Sequence, residues 1–131
     1  MGLFGNSQTK EFKDKFVDMW NLLADYSYGH STLSRETSIR KIEVHFQELK
    51  EIAKRYPNPF NVHFNMHTQN SGMFGEKTSV AKGIAIIQLA LEAVSQGYPL
   101  SVQVQNSAIA QAEGFCNSFQ GQQKIKTIIN S

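Results

Sequence analysis

Phe12, Phe16, Met19, Leu23 and Tyr26 fall three and four residues apart, the spacing that stacks side chains on one face of an α-helix. Trp20 widens the stripe, and Lys13, Asp14 and Asp18 take the side left for water. The spacing predicts a helix over about 9–26. Thr9 serves as N-cap, because its hydroxyl can accept one of the helix's unsatisfied amides. Tyr28-Gly29-His30-Ser31 is its stop, and residues 1–8 precede it as a flexible segment. A second stripe, Ile39, Ile42, Phe46, Leu49, Ala53 and Tyr56, predicts a helix from Ser34 to Tyr56. Its remaining positions are nearly all charged or long and polar, as a solvated face requires. Glu36–Arg40 and Glu51–Arg55 are spaced to pair along it. Pro57 ends it, having no amide and restricting the residue before it.

After the rigid Pro57-Asn58-Pro59 break, apolar and polar residues alternate from Phe60 to His67. Period two marks a strand with one buried face. A turn-rich stretch leads to a third helix over 79–95, with Val80, Ile84, Ile87, Leu91 and Val94 as its main stripe. Ala85, Ile86, Leu89, Ala90 and Ala93 continue the apolar character around it, so this helix is buried on several sides. Gly83 fits a close approach to a neighbour. Leu100 to Gln105 alternates again and admits two readings. One is a strand pairing with Phe60–Met66; the other is a helix entered from Pro99. A final helical region places Ala108, Ala112, Phe115 and Phe119 on one face, with Gly114 and Gly121 against its continuity. Ile125, Ile128 and Ile129 dock the tail.

The expectation is a single, mainly α domain over 1–131. Four or five helices surround one core, with a short two-stranded β element; an all-α bundle is the alternative. The tetrapeptides Gly2-Leu3-Phe4-Gly5 and Gly72-Met73-Phe74-Gly75 each precede a helix, but four positions are too few to establish duplication.

Composition sharpens this picture in one respect. The 131 residues carry 13 Lys and Arg against 11 Asp and Glu, a net charge of +2 that argues against nucleic acid as a partner. The charges are unevenly spread: nine basic and eight acidic residues lie in 1–56, leaving four and three for 57–131. The second part is filled instead with glutamine, asparagine, serine and small apolar residues. A free surface ordinarily holds about a quarter or more charged residues, so the weakly charged part is expected to be covered by another protein.

The chemistry-bearing residues are few. Cys116 stands alone, flanked by Phe115, and reads as a buried small hydrophobe in a reducing compartment. His63 and His67, with His45, are the best metal candidates. On a strand the first two lie about 13 Å apart, too far for one ion, and no metal or cofactor is expected. Glu76, Glu92 and Glu113 are the scarce acids of the second part. His30 beside Ser31 and Ser34 has no orienting acid specified. In Gly72–Thr78 a glycine-rich stretch leads to Lys77-Thr78, but Glu76 interrupts the phosphate-loop order. Gly2 meets Asn6 where a myristoylation signal wants serine or threonine. No signal peptide or membrane-spanning run is apparent, which suggests a cytoplasmic protein.

These features favour an interaction or assembly subunit, an adaptor or oligomer, over an enzyme. It would act through self-association or a protein partner, at faces carrying Gln88, Gln103, Gln111 and Phe119. The alternative is a small ligand-binding domain or enzyme, with a pocket between the 60–67 segment and the helix at 79–95, using His63, His67 and Glu92.

Overall fold

The computed structural model describes residues 2–65 and 77–131, and of residues 2–7 the backbone alone. The described chain is mainly α-helical. Its elements are α1 (Gly2–Ser27), α2 (Arg35–Ala53), β1 (His63–Asn65), β2 (Lys77–Ser79), α3 (Val80–Ser95), α4 (Val102–Cys116) and α5 (Phe119–Ile129). This is the expected architecture of five helices with a two-stranded β element.

The stripes fall where their spacing put them. Phe12, Phe16, Met19 and Leu23 of α1 are fully buried, and Ile42, Phe46, Leu49 and Ala53 of α2 are buried. α2 starts one residue after Ser34, whose hydroxyl accepts from the Thr37 amide at 3.2 Å. It ends three residues short of Tyr56, which turns its hydroxyl to donate to the Gln8 carbonyl at 2.6 Å. Arg55 reaches Glu11 of α1 at 2.6 Å instead of Glu51, and Glu51 pairs locally with Lys54, three residues on.

α3 is the central element and packs against each of the other four helices. Seven of its first eight positions, Lys82 excepted, are buried, from Val80 to Ile87. Gly83 has the close approach expected of it. A β-carbon there would lie 3.0 Å from the Phe64 ring and 3.3 Å from that of Phe12. Phe64 points inward from β1 and meets Phe12 edge-on, with ring centroids 5.0 Å apart. Trp20 stacks on Phe16 from the other side.

The alternating segment after Pro99 resolves as helix, and the partner of β1 is β2. The two strands run antiparallel with His63 opposite Ser79 and Asn65 opposite Lys77. Leu100–Gln105 is not a strand for a physical reason. Ser101 caps α4 by accepting from the Val104 amide, and the buried positions then follow helical spacing: Gln105, Ala108, Ala112. Gln105 tolerates burial because its side-chain amide donates to the Leu100 carbonyl at 3.1 Å. Pro99 sits before the cap rather than at the first helical position.

The last helical region is two helices. Asn117-Ser118 breaks it, and Ser118 restarts the chain by accepting from the Gly121 amide. The break turns Phe119 away from the face of Ala108 and Ala112, leaving it exposed, while Ile125 and Ile129 dock as expected.

Candidate interaction surfaces

Gln103, Asn106, Ser107, Ala110, Gln111 and Gly114 are all exposed on α4. At 1.5 Å per residue, Gln103 and Gln111 are about 12 Å apart along one side of the helix. The only charged residue of α4 is Glu113, and it is drawn across to α3, where it accepts a hydrogen bond from Lys82. That contact holds the Glu113 carboxyl below its usual range. The outer side of α4 is thus amide, hydroxyl and small apolar surface. Gln111 donates to the Ser107 hydroxyl at 2.9 Å, so part of this polarity is already satisfied within the helix. A β-carbon at Gly114 would meet nothing within 4 Å among the described residues. Large apolar side chains flank the strip, Val102 at 58% exposure and Phe119 at 77%. Gln88 lies elsewhere, half-buried on α3, with its amide donating to Glu92 at 3.1 Å.

His63 and Glu92 do not converge. His63 is exposed on β1 opposite Ser79, at the start of α3, whereas Glu92 is exposed thirteen residues further on, about 20 Å along that helix. His67 lies outside the described residues. Among the described residues no group of three or more His, Cys, Asp or Glu is placed to hold a metal ion. Cys116 is half-buried rather than fully buried; burial first, and then the nearby Glu113, push its thiol pKa up. Its reactive thiolate form is therefore disfavoured.

A second surface was not anticipated from the sequence. A cleft of about 830 Å³ opens where the end of α1, the start of α2 and the end of α3 meet. Ile42 and Val94 form a buried floor, with Ile39, Leu91 and Tyr26 around them. Leu33 and Tyr98 stand on the rim at 40% and 57% exposure. Arg35 and Glu43 line the cleft from α2. A shallower depression of about 380 Å³ shares Glu43 and Leu91 with it and continues past Val44, Phe46 and Gln47 to Lys50. The rim residues sit in segments whose sequence signals only helix stops: Gly29 and Gly97 both adopt positive φ, at 72° and 96°. What joins the two turns is the Ser27 hydroxyl, which accepts from the Leu100 amide at 2.9 Å.

No protein-family model, curated protein or solved structure matches the chain. No described helix is long and apolar enough to cross a membrane.

Proposed function

We propose that the chain is an assembly subunit that self-associates through the outer side of α4 and the start of α5. The supporting observation is the α4 surface itself: an exposed helical side whose one ion is paired with Lys82 of α3, bounded by a phenylalanine exposed at 77%. Interfaces are depleted of charge at their centre and enriched in aromatic anchors, with amides satisfying the edge. Gln103 and Gln111 supply the amides and Phe119 the anchor. Gly114 and Ala110 let a second backbone come close.

Light scattering coupled to size separation, run over a range of concentrations, tests this. The expected mass is a multiple of the 14.7 kDa chain, falling to a single chain in Phe119→Glu and in Gln111→Lys with helix content unchanged. A wild-type particle that stays at one chain's mass at every concentration, with α4 amides exchanging alike in wild type and Phe119→Glu, rejects the proposal.

A further inference from the structure

The cleft at the α1–α2–α3 end is independent of the α4 surface. We propose that it is a docking groove for one amphipathic helix of a partner protein, held by an acidic side chain facing Arg35 and a basic one facing Glu43.

Shape carries the first part of the argument. The 830 Å³ cleft and the 380 Å³ depression adjoin at Glu43 and Leu91, which line both, and together they follow one side of α2 as a trough. From Arg35 to Lys50 it follows sixteen residues of α2, a rise of about 22 Å. A compact ligand would occupy the cleft and leave the depression empty, whereas a helix of about four turns matches the whole length. The lining fits such an occupant. Ile39, Ile42, Leu91 and Val94 give the cleft an apolar floor, and Leu91, Val44 and Phe46 carry apolar side chains into the depression, as a helix-in-groove arrangement needs.

Charge carries the second part. Lys10, Lys15, Lys54, Arg55 and Lys82 each sit within salt-bridge distance of an acid. Arg35 and Glu43 have no such partner among the described residues, as is also true of other surface charges such as Arg40 and Lys41; what sets these two apart is that both line the trough. They are eight residues apart on α2, about 12 Å, and too far to neutralise each other. A helix lying beside α2 presents its own residues at the same rise, so an acid and a base eight positions apart meet both charges together. Tyr98 on the rim adds an aromatic of the kind that anchors interfaces.

The probe is a synthetic sixteen-residue helical peptide. It has leucine at three- and four-residue spacing and alanine and glutamine elsewhere, with one glutamate and one lysine eight positions apart. Titration calorimetry against the full chain should give saturable one-to-one binding. Arg35→Glu should weaken it tenfold or more. A second peptide with lysine in place of the glutamate should recover the loss on Arg35→Glu and bind wild type worse than the first. Leu91→Glu should abolish binding, with circular dichroism verifying that each variant is folded. Phe119→Glu should bind the peptide as wild type does, so that failure of the α4 interface and failure of this groove give different results. Absence of saturable binding to wild type overturns the proposal, as does equal affinity for Arg35→Glu without rescue. Decanoate binding one-to-one in the cleft where the peptide does not would assign it to a small amphiphile and likewise overturn it.

Discussion

At Gly121 a β-carbon would lie 2.3 Å from the Phe115 carbonyl oxygen and 2.4 Å from the Phe115 Cα. Both are backbone atoms, and a backbone cannot swing aside as the end of a flexible side chain can. The turn between α4 and α5 closes only because this position lacks a side chain. Gly121→Ala is therefore expected to cost about 1–3 kcal/mol, the usual range for overpacking, read as a lower urea midpoint. Gly114→Ala is the matched control. Its β-carbon enters open space, and alanine is better than glycine inside a helix by about 0.5–1 kcal/mol, so the isolated chain should gain stability. From the sequence, both glycines looked alike, as weak points in one helix. The difference lies in what stands opposite, which local pattern does not carry. Gly83 was more legible, because it interrupts a nearly all-apolar helix where only contact explains it. Even there the neighbours, Phe64 and Phe12, come from distant segments.

Four of the five helices begin the same way. Ser34, Ser79, Ser101 and Ser118 each accept a hydrogen bond from the amide three residues on. Each satisfies a donor that the helix itself cannot. Ser79 has a second role, since it also pairs with His63 at the end of the sheet. Ser79→Ala is expected to cost about 1 kcal/mol through the lost cap, visible as a lower midpoint in thermal unfolding. The same feature explains where element prediction failed. Over Leu100–Gln105 the alternation of apolar and polar residues suggests a strand, and Ser101 ahead of it is the opposing signal for a helix. Tertiary context decided: Gln105 finds a backbone acceptor inside, and Val102 is left outside at little cost. Long, strongly periodic elements such as α2 and α3 were legible because 3.6-residue periodicity over several turns has no competing explanation. Short ones were not.

Across the whole molecule, the charge asymmetry of the sequence does not divide the core. α3, from the weakly charged part, packs directly on α1 and α2 from the charged part. Ion pairs then tie neighbouring segments together: Lys15 to Glu48 between α1 and α2, Arg55 just past α2 to Glu11 of α1, and Lys82 to Glu113 between α3 and α4. The last of these has a definite pH dependence. The Lys82 hydrogen bond lowers the Glu113 pKa in the fold. Its contribution is therefore complete above the carboxyl's unfolded-state value and is lost as pH falls through the lower folded value. The carboxylate is 54% exposed, so the effect is small, at most about 1 kcal/mol. Glu113→Gln should show a correspondingly shallower loss of stability on acidification. The cleft was illegible for a reason of the same scale. It exists because the turn after α1 and the turn after α3 arrive at one end of the bundle, and no stretch of sequence contains both. The cleft stands at the end of α3 away from β1 and β2.

Trp20 is the chain's only tryptophan and is 2% exposed, stacked on Phe16 inside the bundle. Its indole is a natural optical gauge with no label required. Emission at short wavelength signals an intact interior, and a shift to the red signals water reaching it. Because the ring is remote from solvent, events on the outer skin leave its colour largely unchanged. One cuvette can thus tell a variant that has lost its shape from one that has lost only its companions.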